Sequence, residues 1–478
     1  MRYLSGAVAL AAVALWGPVA PAQAPGNLTA VTAEGSTGVI IPLVGYGPPP
    51  LTFLLVTKPA HGAVLIAGAN AAYTPQLGFS GTDSFRYLVV NAEGKFRAPI
   101  TVTVTVEASA PISITPPAVQ ISNNQLVDGN GQRFLVKGLI VRPVIAPFYM
   151  DGDPFEYFGD AELAAAQAWH ANTIRILTSQ IALDRRSRSY SKQYVLSVAN
   201  AAQAILDHGF LLIVGVNDEI GTGETIRHCL PVPATQRAWT TLLGLPFAQA
   251  RYRHNVMLEL FNEPVTAGDQ HLGPSTYWWQ IWQNGGRVDV YDVGEVEPCV
   301  GGRKVGMNAL IAQIRNAGLT NVLIADGLSW AHFLNPLFPL DDPLGQLAYA
   351  AHPFLEKWPS FHLTGNPAED YAVLDAAFGD MRTQDPIIAT AVDGGASSGG
   401  TDQTQHCFSI APQVMPVLLH YLRQGNMGAV GWAFDLPPHA LTLDWNWNPT
   451  SYAGFRCPKG PVEGQGGPGR LLRGWFKR

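Results

Sequence analysis

The sequence predicts an α/β fold, a (β/α)₈ TIM barrel, with an all-β sandwich domain before it. Two observations carry this prediction. From residue 134 onward, short apolar strands alternate with helical segments, which predicts parallel strand pairing. Residues 25–107 are instead rich in Thr, Val, Gly and Pro, with strictly alternating runs typical of antiparallel sheets. A chain of 478 residues that is 47% hydrophobic is long enough for two cores.

Composition and charge exclude several classes of partner. The chain carries 30 Lys and Arg against 36 Asp and Glu, a net charge of −6, without a long run of either sign. Nucleic acid and anionic membrane surfaces are therefore not predicted partners, and a neutral substrate fits better. The charged fraction is only 14%, and 49 Gly and 37 Pro indicate many turns, which is typical of extracellular proteins.

Residues 1–24 have the pattern of a bacterial signal peptide. Arg2 precedes an apolar stretch over residues 4–16, and small residues at Ala20, Ala22 and Ala24 offer cleavage positions. This stretch is too short for an ordinary membrane span, and no later segment approaches about 20 uninterrupted apolar residues. We therefore expect a secreted mature chain without a membrane span; an uncleaved anchor is the alternative.

The four cysteines predict disulfides rather than a metal site. Cys229, Cys299, Cys407 and Cys457 are an even number in an exported chain, and they lack the short spacing of zinc ligands. Of the three possible pairings we favour Cys229 with Cys299 and Cys407 with Cys457. No cofactor or metal site is evident in the sequence.

The first domain, residues 25–107, contains a repeat-like segment. The stretch YTPQLGFSGTDSFRYLVV, residues 73–90, resembles the cadherin-like and immunoglobulin-like repeats of bacterial surface and secreted proteins. Phe85 and Tyr87 fall on one strand face, as an immunoglobulin-like sandwich core requires. This domain is predicted to be a spacer, with carbohydrate binding as the alternative. Residues 108–120 form a Pro-containing linker to the second domain, residues 121–478.

The second domain contains eight apolar strands, with helices predicted over residues 161–171, 194–209 and 411–425. In a barrel of this kind the chemistry lies at the C-terminal ends of the strands. A doubly wound open sheet is the competing fold, but no Gly-rich phosphate loop follows the first strand. The predicted strands are 134–141, 172–177, 210–216, 255–261, 321–326, 347–352, 386–392 and 428–434.

The fourth of these strands ends in the most informative motif, NVMLELFNEP, residues 255–264. Over about residues 124–435 the chain resembles glycoside hydrolase family 5, the cellulase-like barrel enzymes, whose fourth strand ends in Asn-Glu-Pro. The resemblance implies that Glu263 is the catalytic acid/base and that Asn262 holds the 2-hydroxyl of the sugar. Without the resemblance, Glu263 could merely cap a helix.

Other strand ends extend the resemblance to substrate-binding positions. Arg175 matches the active-site Arg that braces the nucleophile, His352 matches the His after the sixth strand, and Trp432 matches the aromatic platform of the eighth. Asn217 stands where the third strand of the family often ends in His. Trp330 is a candidate for a further sugar subsite. Trp445 and Trp447 are candidates of the same kind.

One position departs from the pattern in a way that affects the chemistry. Family members carry a nucleophilic Glu at the end of the seventh strand, where this chain has Ala391. A methyl group cannot form a glycosyl-enzyme bond, so the usual retaining mechanism cannot run through this position. Nearby, Phe354 stands where the family usually has a Tyr that donates to the nucleophile.

Asp393 is the candidate replacement for the missing carboxylate. It lies two residues beyond Ala391, about 6.6 Å further along the strand, and inverting glycosidases tolerate widely spaced carboxyl groups. The competing interpretation places Asp393 in an ordinary Asp-Gly-Gly turn. Asp326 and Asp435 are weaker candidates.

The sequence thus predicts a secreted glycoside hydrolase acting on a β-linked polysaccharide or oligosaccharide. The alternative is a non-catalytic carbohydrate-binding relative, which Ala391 favours. A third hypothesis makes the chain a surface scaffold whose β domain binds the partner. Neither the sugar nor the oligomeric state follows from the sequence.

Overall fold

The structure, a computed structural model, contains a closed barrel of eight parallel strands, preceded in the chain by a four-stranded, a three-stranded and a two-stranded sheet. The proposed signal peptide, residues 1–24, lies outside the residues that the structure describes. The described residues are 26–110, 114–141, 159–218, 228–267, 273–291, 299–353, 363–392, 411–432, 434 and 468–478.

The first domain is a sandwich of a four-stranded sheet, in the order β1-β7-β6-β3, and a three-stranded sheet, β2-β5-β4. Its core follows from strict alternation: in β7, Ile100 and the three valines face inward while the threonines face outward. Phe85 and Tyr87 of β6 are both fully buried, which confirms their predicted shared face. The strands are β1 (Leu28–Ala33), β2 (Val39–Pro42), β3 (Thr52–Thr57), β4 (Gly62–Ala67), β5 (Asn70–Pro75), β6 (Gly81–Val90) and β7 (Ile100–Glu107).

The second domain is the predicted barrel, and the open-sheet alternative is wrong. All eight predicted strands are present, and the first pairs with the last, so the sheet closes. Two hairpins add to it, β8 (Val119–Ser122) with β9 (Gln125–Asp128) and β14 (Gly285–Val288) with β15 (Gly302–Val305). The barrel strands are β10 (Lys137–Ile140), β11 (Thr173–Ser179), β12 (Leu211–Asn217), β13 (Val256–Glu259), β16 (Leu323–Asp326), β17 (Leu347–Ala351), β18 (Ile387–Val392) and β19 (Gly428–Gly431).

Helices surround the barrel. The longest described one, α3, begins after Ser191, whose Oγ accepts a hydrogen bond from the backbone N–H of Tyr194. None of the described helices is both long and apolar enough to cross a membrane. The helices are α1 (Asp160–Ala168), α2 (Gln180–Leu183), α3 (Lys192–Asp207), α4 (Pro233–Leu242), α5 (Thr276–Asn284), α6 (Met307–Asn316), α7 (Leu328–Ala331), α8 (Pro367–Ala377), α9 (Ala411–Gln424) and α10 (Pro468–Phe476), with 3₁₀ turns at Pro246–Ala248, Ala250–Tyr252 and Gly379–Thr383.

The inside of the barrel is filled with apolar side chains. Ile213, Met257, Ile324, Ala350 and Ile388 all belong to one buried cluster that is separate from the core between strands and helices. Since side chains alternate along a strand, the residue two positions after each of them also faces inward. These next positions form the upper end of the filled interior, where the barrel opens.

A disulfide joins Cys229 to Cys299 across 70 residues, which confirms the first predicted pairing. Lys304 reinforces this junction, because its Nζ donates to the carbonyl oxygens of His228 and Val300, which flank the two cysteines. Cys407 and Cys457 lie outside the described residues.

The sandwich is docked on helix α3 of the barrel through buried hydrogen bonds. Asn200 Nδ2 donates to the backbone oxygens of Ser36 at 2.9 Å and Pro75 at 3.1 Å. Gln193 Nε2 donates to Thr74 Oγ1 at 3.0 Å. Because these bonds are directional and shielded from water, they fix the orientation of the sandwich on the barrel.

Removing the Asn200 amide should loosen this contact. In Asn200→Ala the carbonyls of Ser36 and Pro75 lose their donor, which should cost about 1–2 kcal/mol of interdomain stability. Limited proteolysis in the 108–117 segment and thermal unfolding measure the effect. Gln203→Ala is the matched control, since Gln203 lies on the same helix but bonds Asp207 and Tyr252 within the barrel. Equal protease sensitivity of both variants would contradict the docking role.

Candidate active site

A layer of polar side chains closes the apolar interior of the barrel at its C-terminal end. Glu259, Asp326, His352 and Thr390 each lie two residues after an inward-facing apolar residue, on four different strands or strand ends. All four are fully buried. The parallel register of the barrel therefore brings together polar groups that are far apart in sequence.

Arg175 and Glu259 form an ion pair at the centre of this layer. Arg175 Nε donates to Glu259 Oε2 at 2.7 Å, and both side chains are fully buried. Gly215 lies between them on β12, where a Cβ would come within 2.6 Å of Glu259 Oε2. The pair thus requires glycine at this position. Burial alone would raise the pKa of Glu259, but the guanidinium more than offsets it, so the pKa lies below its ordinary value.

Arg175 also orients the amide of Asn262. Its Nη2 donates to Asn262 Oδ1 at 2.7 Å, and Asn262 Nδ2 donates to Asn217 Oδ1 at 2.9 Å. The amide can hardly rotate, because its oxygen faces a cation and its nitrogen faces another amide oxygen. Asn217 and Asn262, both predicted to bind substrate, therefore lie side by side at the mouth.

Glu263 projects from the end of β13 with its side chain 23% exposed. Its backbone has φ of +50°, in the left-handed region that costs a non-glycine residue about 1–2 kcal/mol. Two contacts hold it there: its N–H donates to Asp326 Oδ2 at 2.9 Å, and its Oε1 lies 2.9 Å from His352 Nδ1. This arrangement gives the carboxyl group access to a ligand from a fixed position.

His352 connects Glu263 to the buried layer. Its Nδ1 contacts Glu263, and its Nε2 lies 2.9 Å from Thr390 Oγ1 and 3.6 Å from Asp326 Oδ2. Burial lowers the pKa of His352 below its ordinary value, although the contact with Glu263 opposes this. The imidazole is therefore neutral near pH 7.

Asp326 and Glu259 are a buried pair of carboxyl groups. Burial and, after it, the charge of Glu259 raise the pKa of Asp326 well above its ordinary value. Because Glu259 has the guanidinium beside it and Asp326 has not, the pKa values of the two carboxyl groups are shifted in opposite directions.

Glu259, Asp326 and His352 bring oxygen and nitrogen atoms within 4.8 Å of one another, close enough for a cation to be considered. Their existing partners fit such a cation poorly. Glu259 is already neutralised by Arg175, and both ring nitrogens of His352 have protein contacts. The set is better described as a hydrogen-bonded cluster.

Ala391 faces this cluster from the seventh barrel strand. The register of β18 against β19 shifts between Ala389 and Val392, so that Thr390 and Ala391 are consecutive residues on the inner side. Ala391 is buried and belongs to the interior cluster against which Trp432 packs. Its methyl group thus packs with the apolar interior, next to Thr390 in the chain, and contributes no polar atom.

The two aromatic candidates with described positions also lie near strand ends. Trp432 is half-buried directly after β19, and its backbone N–H donates to the backbone oxygen of Val392 at 3.0 Å. Trp330 is half-buried, and it is the middle one of three consecutive residues with left-handed backbone conformation. Its backbone N–H donates to the backbone oxygen of Pro264, the residue after Glu263. Both roles in sugar binding stay predictions. Asp393, Phe354, Asp435, Trp445 and Trp447 lie outside the described residues.

Sequence reasoning missed Glu259 and Thr390. Glu259 is a lone charge within the apolar strand NVMLELF, and such a residue is rarely buried without a partner. Its spacing from Met257 puts it on the inner face, which is a signal that could have found it. Thr390 carried no comparable signal.

Comparison with known families gives two matches. The cellulase model, glycosyl hydrolase family 5, matches residues 141–436, which is more than half of the chain. The bacterial Ig domain model matches residues 18–107. None of the curated proteins compared matches the chain.

Solved structures agree at the level of fold. The chain is similar to a β-glucanase from Saccharophagus degradans in complex with cellotetraose, with TM-score 0.50 and 18% identity over 77% of this chain and 95% of that chain. It is also similar to an endocellulase from Pyrococcus horikoshii in complex with cellotetraose, with TM-score 0.51 and 12% identity over 76% of this chain and 100% of that chain.

Replacing Arg175 should expose the cost of the buried carboxyl pair. Arg175→Gln leaves Glu259 without a cation, which should lower the free energy of unfolding by about 3–5 kcal/mol near pH 7. The folded-state pKa of Glu259 would then exceed its unfolded value, so the deficit should grow as pH rises above about 4.5. Denaturant unfolding at several pH values tests this. Arg188→Gln, at an exposed position, is the control. A deficit independent of pH would contradict the electrostatic explanation.

Proposed function

Because the chain belongs to glycosyl hydrolase family 5, we propose that it is a secreted hydrolase of β-linked polysaccharides in which Glu263 is the proton donor. The observation that carries this proposal is the placement of Glu263: partly exposed at the mouth of the barrel and hydrogen-bonded to the buried His352. A glycosidic oxygen leaves only if it is protonated as the bond breaks, so one positioned acid at the mouth is the first requirement.

The substrate class is proposed to be β-glucan. Two solved structures to which the chain is similar, with TM-scores of 0.50 and 0.51, are named a β-glucanase and an endocellulase, each with cellotetraose bound. Asn262 and Asn217 supply amide groups for sugar hydroxyls, and Trp330 and Trp432 supply apolar faces for sugar C–H groups. Neutral sugars are consistent with the low charge of the chain.

The reaction is proposed to be inverting. Ala391 excludes a covalent intermediate at the usual position, and Glu259 and Asp326 are fully buried, so neither reaches the sugar. A carboxylate further out, for which Asp393 is the candidate, would activate a water that attacks the anomeric carbon while Glu263 protonates the leaving oxygen. The proton lost by the water passes to that carboxylate, and the products carry the inverted anomeric configuration.

The second candidate function is carbohydrate binding without turnover. The observation that favours it is Ala391 itself, buried and apolar where a retaining enzyme needs its nucleophile. Such a protein would use the same mouth, with Asn262, His352 and the tryptophans as the binding surface.

Three features of the chain support secretion. Residues 1–24 have the pattern of a signal peptide, a bacterial Ig domain follows, and Cys229 is disulfide-bonded to Cys299. Disulfides persist in oxidising compartments, so these features support an extracellular bacterial enzyme.

Glu263→Gln distinguishes the two functions. The amide cannot donate a proton to the leaving oxygen, so turnover on β-glucans, mannans or xylans should fall by at least about 100-fold. Reducing-sugar release and equilibrium binding measure the two properties. Glu369→Gln, at an exposed position on α8, is the control. Binding without product release in the wild type would favour the second function, and absence of both would contradict each.

Restoring the missing carboxylate tests the site more sharply. Ala391→Glu should introduce retaining hydrolysis, because it would restore a carboxylate at the end of the seventh barrel strand, where family members carry their nucleophile. NMR of the anomer first released identifies the stereochemistry. Ala391→Gln has the same size without a nucleophile and should stay inactive as a retaining enzyme. If the Glu and Gln variants behave alike while both remain folded, position 391 is not equivalent to the nucleophile of the family.

A further inference from the structure

We propose that Asp326 is a positioning residue for Glu263: as a neutral acid hydrogen-bonded to Glu259, it fixes the backbone of Glu263 and keeps His352 uncharged. This inference rests on the proposed role of Glu263 as proton donor. It concerns a residue that does not reach the mouth and acts through its two neighbours.

Four carboxyl oxygens belong to the pair of Glu259 and Asp326. Glu259 Oε2 accepts from Arg175 Nε at 2.7 Å, and Asp326 Oδ2 accepts from the N–H of Glu263 at 2.9 Å. The remaining oxygens, Glu259 Oε1 and Asp326 Oδ1, are buried, and no donor from another described residue reaches either of them. Two ionised carboxylates left so close together would repel each other in a medium of low dielectric. One proton shared between them removes the repulsion and supplies the missing hydrogen bond.

The charges around the pair decide which of the two carboxyl groups carries that proton. The ionisable groups around Asp326 are Glu259 on β13, Glu263 after it, His352 after β17 and, beyond Glu259, Arg175 on β11. The positive charge of Arg175 is in direct contact with Glu259 alone, so Glu259 keeps the negative charge and Asp326 keeps the proton. The pair then carries one negative charge, which the guanidinium balances.

The charge of Asp326 affects His352 and, through it, Glu263 at the mouth of the barrel. An ionised Asp326, with Oδ2 only 3.6 Å from His352 Nε2, would favour an imidazolium. That imidazolium would donate from Nδ1 to Glu263 and stabilise the carboxylate, so no proton would be left for the glycosidic oxygen. With Asp326 neutral, His352 can hold its proton on Nε2, towards Thr390 and Asp326, and accept the Glu263 O–H at Nδ1.

The same carboxyl group also holds the backbone of Glu263. Its Oδ2 accepts the N–H of a residue whose φ of +50° needs an external constraint. An asparagine at 326 can replace both functions, because its amide is neutral, accepts from the N–H and donates to Glu259. An alanine can replace neither of them.

The experiment compares Asp326→Ala with Asp326→Asn. We expect Asp326→Ala to lower kcat at least about tenfold, with KM changed less, and Asp326→Asn to rescue most of that loss with an unshifted pH profile. Equal values of kcat in Asp326→Ala and Asp326→Asn would overturn the proposal. A displaced pH profile in Asp326→Asn would overturn it as well.

A second measurement does not depend on turnover. Imidazole ¹⁵N NMR of the full chain should show His352 neutral near pH 7, with its proton on Nε2, in the wild type and in Asp326→Asn. In Glu259→Gln the like charge is gone, so Asp326 should ionise and His352 should become protonated near neutral pH. If His352 is charged in the wild type, or stays neutral in Glu259→Gln, the proposal is wrong. A chain that shows the expected NMR states but no turnover refutes the proposed hydrolase and leaves the role of Asp326 standing.

Discussion

The buried ion pair between Arg175 and Glu259 is the interaction on which the rest of the site depends. Removing two charges from water costs several kcal/mol for each ion, and only close, well-oriented contact compensates for it. Here Gly215 makes room for a contact of 2.7 Å. Other contacts of the site depend on this pair. Arg175 orients the side-chain amide of Asn262, and the negative charge of Glu259 favours the protonated form of Asp326.

The same pair also balances the charge of Arg175 without a contribution from residue 391. In a retaining relative the active-site Arg braces the nucleophile, and removing that partner would leave a buried cation uncompensated. In this chain Nε and Nη2 of Arg175 bond Glu259 and Asn262, and only Nη1 has no partner among the described residues. Charge neutrality in the interior is therefore independent of residue 391, and a methyl group is tolerated there.

Much of the fold and part of the site could be predicted from the sequence. Apolar runs of strand length, separated by helical periodicity, are sufficient to locate eight strands and hence the residues at their ends, including Glu263 and His352. The partner of Arg175 was not predictable in this way. Glu259 lies 84 residues away, and the two meet only through the register of β11 and β13 on either side of β12. The shift in β18 that turns Thr390 and Ala391 inward together also breaks the simple alternation on which the prediction relied.

The charge of the polar layer also constrains the chemistry that the mouth can perform. Arg175 and Glu259 cancel, and Asp326 and His352 are neutral, so the layer offers no net negative charge to an oxocarbenium-like transition state. A retaining relative supplies that charge from the seventh strand itself. If this chain hydrolyses sugars as proposed, the stabilising carboxylate has to come from a residue other than 391, and a longer separation from Glu263 would leave space for a water molecule between the sugar and the base. On the proposed hydrolase function, the alanine at position 391 and an inverting outcome are consequences of the same geometry.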